Sequence, residues 1–197
     1  MILNPFNFYT TPGIRFGNGQ AKHSCKEVFK QLGSRILFIT DKGLTSLGLT
    51  KPTIEELKKM GSVVEIFDDV EADPSQKTLL KAIDTGKKFK ATGVIGFGGG
   101  SSMDVAKLSA LILGSNEDLE KAWGVANAKG PRLPLALVPT TAGTGSEVTP
   151  VSIITVGEEE KKGVSSPIIL PDLAILDPEL TLGLPAATTA STGIDAM

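Results

Sequence analysis

The sequence predicts an α/β fold, a parallel sheet with helices on both faces, and three observations carry that expectation. Short apolar runs such as Arg35–Thr40, Val94–Phe97 and Leu135–Val138 read as strands buried on both faces, and they alternate with segments of helical periodicity. Two loops rich in glycine and hydroxyl side chains, Gly98–Ser102 and Pro139–Thr149, each follow directly on one of those strands. The chain has no internal repeat, heptad pattern or low-complexity tract.

Composition sets the outer bounds. The 197 residues suffice for one sizeable domain and the start of another. Hydrophobic residues at 41% and charged residues at 21% fit an ordinary soluble protein, and a net charge of -2 offers no general attraction to nucleic acid or to an anionic membrane. No apolar run approaches the roughly 20 residues needed to cross a bilayer, and Met1–Phe8 lacks the basic segment and apolar core of a secretory signal. Cys25 and His23 are the only cysteine and histidine. A cytoplasmic home is therefore expected, and a multi-histidine metal site cannot be assembled from this chain alone.

Taken in order, Phe6, Phe8, Ile14 and Phe16 around Thr10–Gly13 read as two short strands and a turn. Cys25, Val28, Phe29 and Leu32 fall at spacings of three and four, one face of a helix over Ala21–Leu32 that Gly33 ends. Cys25 reads as core and His23 as surface, since side chains two apart on a helix point in different directions. Arg35–Thr40 is a buried strand with Asp41 just past its carboxyl end, where an acid serves either as a ribose ligand or as a helix cap. Pro52–Met60 reads as a helix and Val63–Phe67 as a strand. An acidic loop through Asp73 leads to a helix that Asp73 or Ser75 starts, with Leu79, Leu80, Ile83 and Phe89 on its buried face and five lysines on the other.

Val94–Phe97 then enters the glycine turn, with Ser101 or Ser102 expected to cap a helix running to about Leu113. A strand that passes through glycines into a helix presents several backbone N–H groups at the positive end of a helix dipole, a ready phosphate site. Leu119–Trp123 is a short helical turn, Leu135–Val138 a strand, and Pro139–Thr149 a second loop whose hydroxyls suit phosphate, ribose or amide ligands. Two such loops after parallel strands must lie at the same end of the sheet. Val151–Thr155 and Gly163–Ser166 form a hairpin, and Leu173–Leu176 is the last strand, followed by a short helix at Asp177–Glu179. Leu182–Pro185 reads as a hinge before a further helical segment, interrupted by Gly193, that suggests a chain cut near the start of a second domain.

Three stretches then resemble successive signatures of the iron-containing, or group III, alcohol dehydrogenases: Gly98–Lys107, Pro139–Thr149 and Gly193–Met197, supported by Ile39–Lys42 and Asp177–Leu180. The resemblance implies a Rossmann-like NAD(P)-binding domain over 1–184 and, at 185–197, the opening of an all-helical metal-binding domain. It implies that Gly99, Gly100 and Ser101 lie against the pyrophosphate, with Gly98 and Ser102 also among the cofactor-binding residues, and that Asp104 contacts the ligand or fixes the first turn of its helix. Thr140, Thr141, Thr144, Ser146 and Thr149 would approach the cofactor from the second loop. Lys161, or Lys162 after a one-residue shift, would reach its hydroxyls. Asp73 stands where many relatives carry asparagine, so it can accept a hydroxyl hydrogen bond there but not donate one. Asp41 matches the ribose position, and a carboxylate there repels a 2′-phosphate, which favours NAD over NADP.

Asp195 matches the family's first metal ligand, for Fe2+ or Zn2+, and the histidines that complete the set are not in this sequence. No catalytic residue is therefore expected within the chain. The implied activity is interconversion of a small primary alcohol or diol and its aldehyde by hydride transfer, with this chain binding cofactor but not turning over. A dehydroquinate-synthase-like lyase and a free-standing nucleotide-binding module are the alternatives. Small alcohol or aldehyde substrates and a homo-oligomer are the partners expected.

Overall fold

The computed structural model describes residues 6–197, so the first five residues of the expected N-terminal domain lie outside the described residues. The elements run β1 (Gly13–Phe16), α1 (Gln20–His23), α2 (Cys25–Leu32), β2 (Arg35–Ile39), α3 (Lys42–Ser46), α4 (Lys51–Lys59), β3 (Val63–Phe67), α5 (Gln76–Phe89), β4 (Gly93–Gly98) and α6 (Gly100–Ser115). They continue as α7 (Leu119–Ala122), β5 (Gly124–Val125), β6 (Leu135–Pro139), β7 (Val151–Val156), β8 (Glu160–Ser165), β9 (Leu173–Leu176) and α8 (Ala186–Asp195). Six strands form one parallel sheet in the order β3-β2-β4-β6-β9-β1. From β2 the chain moves outward to β3, then crosses back to β4 and builds in the other direction. The reversal falls between β2 and β4, and the crevice at their carboxyl ends is where ligands gather in open sheets of this kind.

Alternation along the strands splits the core into two layers. Ile36 and Phe38 of β2, with Ile95 and Phe97 of β4, face α2 and α4. Leu37, Ile39 and Val94 face the opposite way, toward α5 and α6. Both faces of the central strands are thus covered, as their unbroken apolar runs require. Gly96 permits a close approach on the α6 side: a Cβ there would lie 2.7 Å from the Ala106 Cβ and 3.3 Å from the Met103 Cα. The missing side chain lets α6 sit directly on β4, which fixes the position of that helix's N-terminus.

The structure corrects several local expectations. Residues 6–12 form no strand, and only β1 is extended, paired with β9 at the sheet edge. The helix read over Ala21–Leu32 is two helices joined at Ser24, whose hydroxyl bonds the Gln20 side chain, although Cys25, Val28 and Leu32 are buried as the spacing required. Leu80 is exposed because it lies one residue off the Leu79–Ile83 stripe. Neither Ser101 nor Ser102 caps α6: Gly99 is the N-cap and brings no side chain. Helix α8 continues through Gly193 without interruption. The hairpin β7–β8 is antiparallel as expected and adds β5 as a two-residue parallel partner.

Candidate functional site

The site begins with β4, which passes into α6 through two glycines in extended or left-handed backbone. Gly98 has φ +151°, a conformation that side-chain-bearing residues rarely adopt, and Gly99 is extended. Helix α6 starts at Gly100 and is 16 residues long, so its first N–H groups and its dipole face the crevice. A Cβ on Gly98 would strike the Ser102 hydroxyl at 2.7 Å. Ser102 is therefore tucked beneath the turn, whereas Ser101 lines the cleft.

The second loop lies directly above the first. The Thr140 N–H donates to the Gly98 carbonyl at 3.0 Å, extending the β4–β6 pairing past the last strand residues. The Thr141 hydroxyl is buried without a hydrogen-bond partner, and a Cβ on Gly99 would sit 3.7 Å from it. The Thr144 methyl would lie 3.1 Å from a Cβ on Gly100. The bare backbone of the first loop thus faces a row of threonines across a space that side chains would fill.

A third segment closes the cleft. Asp73, with φ +52°, ion-pairs with Lys161 of β8, and the Thr155 N–H donates to the Pro74 carbonyl at 2.9 Å. Lys161 rather than Lys162 is the lysine that reaches the cleft. The resulting cavity of about 570 Å³ is lined by Asp73, Gly100, Ser101, Asp104, Thr144, Ser146, Thr149, Lys161 and Asp195, nine of the fifteen positions singled out from sequence (Asp41, Asp73, Gly98–Ser102, Asp104, Thr140, Thr141, Thr144, Ser146, Thr149, Lys161, Asp195). Thr141 instead opens on a neighbouring cavity of about 560 Å³ that also touches Asp177 and Ala196. A larger cleft of about 690 Å³ along α5, beside Lys77, Lys81 and Asp84, meets neither glycine loop.

Asp41 stands across the crevice, two residues beyond the Ile39–Gly96 register pair as Gly98 is two beyond Gly96. Of the two sequence readings the structure shows the helix cap: one carboxylate oxygen accepts from the Leu44 N–H at 3.0 Å at the start of α3. Asp68 and Asp69 lie close by, Asp68 accepting from the Thr45 hydroxyl of α3 and Asp69 pairing with Lys42.

Asp104 proves to be a junction. Its carboxylate accepts from the Ser146 hydroxyl at 2.7 Å and from the Ile153 N–H at 2.9 Å, tying α6 to the second loop and to β7. Burial pushes its carboxyl above the usual range, opposed by nearby Lys107 and by those two hydrogen bonds. Lys107 closes the Gly98–Lys107 motif, and its spacing alone assigns it no role. The available signal was a lysine three residues after Asp104 on a helix whose other residues from Met103 to Ile112 are apolar or small.

Asp195 lies on the exposed end of α8. Among the described residues no group of three or more His, Cys, Asp and Glu side chains is placed to hold a metal ion. His23 lies elsewhere, beside Arg15, Lys26 and Lys30. The donors present do not fit a tightly held divalent cation. The bare loops, the unpartnered Thr141 hydroxyl and the Lys161 ammonium do fit a group carrying phosphates and hydroxyls.

Comparison with known proteins bears on this geometry. Residues 11–178 match the family model for the iron-containing alcohol dehydrogenases. The chain is 38% identical over 192 residues to sulfoacetaldehyde reductase of Bilophila wadsworthia, covering 97% of this chain and 50% of that protein. It is 41% identical over 200 residues to choline dehydrogenase of Bacillus subtilis, covering 99% and 50%. Among solved structures, sulfoacetaldehyde reductase from Bifidobacterium kashiwanohense in complex with NAD+ superposes with a TM-score of 0.86 at 34% identity, covering 98% of this chain and 51% of that one. A 1,3-propanediol oxidoreductase superposes with a TM-score of 0.92 at 32% identity, covering 98% and 50%. The chain spans about half the length of the curated relatives it matches.

Proposed function

The chain belongs to the iron-containing alcohol dehydrogenase family, and from that premise we propose that it is the cofactor-binding portion of a metal-dependent, NAD-linked alcohol dehydrogenase. The observation that carries the proposal is the convergence of two loops at the carboxyl ends of β4 and β6, the bare Gly98–Ser101 turn beneath the threonines of Thr140–Thr144. The backbone N–H groups at the start of α6 hold the pyrophosphate, and the Thr141 hydroxyl gains in that phosphate or its ribose the partner it lacks. Lys161 and Asp73 meet ribose hydroxyls at the far side of the cleft. Asp41 takes the adenosine ribose with its free oxygen, and the acidic surroundings of Asp68 and Asp69 disfavour a 2′-phosphate, so NAD is preferred to NADP.

When bound, the nicotinamide would accept or deliver hydride to a small alcohol or aldehyde. This chain's own residues bind and orient it. Asp195 is the one residue here that matches the family's metal set, and a single exposed carboxylate does not retain a divalent ion. Residues 1–184 are assigned to the dinucleotide-binding domain and 185–197 to a helical metal-binding domain, in keeping with relatives about twice as long. The lone Cys25 is buried, which suits a reducing cytoplasm.

The test is a titration of this chain with NADH, NAD and NADP by calorimetry, followed by an assay with short alcohols and added iron or zinc. Dinucleotide binding without turnover is expected. Undetectable binding by folded protein would remove the cofactor assignment, and turnover would remove the claim that the chain alone is inert.

A further inference from the structure

Lys107 lies fully buried on α6 and lines none of the cavities described above, yet each of its hydrogen bonds ends on the second loop or the strand after it. Its ammonium donates to the Ser146 hydroxyl at 2.8 Å, to the Thr149 carbonyl at 3.0 Å and to the Val151 carbonyl at 2.7 Å. Those acceptors open the short helical turn at Ser146–Val148, follow it directly and start β7, so one side chain fixes the whole path from loop to strand. Ser146 accepts from Lys107 and passes its own proton donation to Asp104 at 2.7 Å, and its N–H donates to the Thr144 hydroxyl at 3.3 Å. Ser146, Thr149, Asp104 and Thr144 all line the cleft. An apolar side chain would fill the same space at less desolvation cost, but it would remove at once the donor shared by the Ser146 hydroxyl and the part-buried Thr149 and Val151 carbonyls.

We propose that Lys107 is a positioning residue for the dinucleotide, a buried cation that holds the second loop in register over the glycine turn through Ser146, Thr149 and Val151. The inference rests on the reading that this cleft binds NAD. It adds a residue that touches no ligand and acts through those that do.

The chemistry of the ammonium gives the inference a distinctive signature. An ammonium has three protons for its three acceptors, whereas the neutral amine has two, so deprotonation frees one acceptor and loosens the loop. Burial lowers the Lys107 pKa to about 8, against the charge of Asp104 on its own helix and of Glu147 on the packed turn. A bound pyrophosphate favours the charged form, so binding above that pH draws a proton from solvent.

The experiment titrates NADH by fluorescence from pH 7 to 9.5 into wild type, Lys107→Met and Ser146→Ala, with folding checked by circular dichroism. Proton uptake is measured at pH 8.5 by calorimetry in buffers of different ionisation enthalpy. Wild type is expected to hold its affinity to about pH 8, to weaken by about tenfold at pH 9.5, and to take up a proton on binding. Folded Lys107→Met is expected to bind about tenfold more weakly at pH 7, with a flat profile and no uptake. If Lys107→Met does not fold, Ser146→Ala is expected to flatten the same profile. A flat wild-type profile without proton uptake, or a folded variant with the wild-type profile, overturns the inference. Wild type that binds no NADH even at pH 7 overturns the cofactor reading itself, and the inference with it.

Discussion

Replacing Gly99 with alanine separates cofactor binding from stability. Gly99 has φ -75° and ψ -173°, a conformation open to alanine, and the new Cβ would meet only the Thr141 side chain, at 3.6 Å and beyond. Alanine is a poorer N-cap than glycine by about 0.5–1 kcal/mol. The loss of unfolded-state freedom offsets that by about 0.4–1 kcal/mol. The net change in stability is near zero, and the melting temperature should move by no more than about 3 °C. The methyl group nevertheless occupies the space between the two loops. Displacing a phosphate from one backbone N–H forfeits a hydrogen bond to a charged group, about 1.5–3 kcal/mol, or about 10- to 150-fold in Kd. The assay pairs thermal unfolding with an NADH fluorescence titration. Full affinity in a folded Gly99→Ala variant would refute the placement of the pyrophosphate at this turn.

Gly96→Ala should behave in the opposite way: its Cβ would fall 2.7 Å from both the Ala106 Cβ and the Leu137 Cδ2, and overpacking of this kind costs about 1–3 kcal/mol, read as a lower melting temperature. Unchanged melting would mean that α6 does not rest on β4 as described. Asp41→Gly should narrow the preference for NAD over NADP, and an unchanged affinity ratio in paired titrations would take Asp41 out of cofactor choice. Cys25 is buried and its thiol is pushed up to about 12, chiefly by burial, so a thiol reagent at pH 8 should label it only after unfolding; rapid labelling of native protein contradicts its place in the core. The folded-state pKa of Lys107, about 8, lies below the 10.5 of the free side chain, so the unfolded chain binds more protons between those values. Stability measured by urea unfolding should therefore rise as pH climbs from about 8 toward 10.5, the reverse of the trend in NADH affinity. Leu182 and Ile194 are exposed, which should drive self-association, and a monomer by light scattering across a wide concentration range speaks against it.

The sheet was legible because its strands are short, unbroken apolar runs set between helices of clear period, a pattern only a two-sided parallel sheet buries. The two loops were legible for the same reason: parallel pairing forces residues that follow β4 and β6 to one end. What failed was decided by contacts that spacing does not carry. A single helical stripe cannot reveal that the backbone turns at Ser24. The capping serines of α6 were passed over because close packing under Gly98 draws Ser102 inward. Lys107 escaped notice because a lysine reads as a surface residue until the acceptors brought to it from 146, 149 and 151 are seen. Asp104 lines the cleft, and its carboxylate also bridges α6 to the second loop and to β7, partners that spacing alone does not reveal.

The central claim is that a dinucleotide sits between the Gly98–Ser101 turn and the Thr140–Thr144 loop. Backbone amide resonances followed through a titration of the isotope-labelled chain with NADH test it most directly. The amides of Gly99, Gly100 and Ser101 and of Thr140 to Thr144 should shift together and saturate with one Kd, while those around His23, on α1, stay in place. Binding that leaves both loops unmoved, or that shifts the Lys77–Asp84 cleft along α5 instead, would contradict the claim.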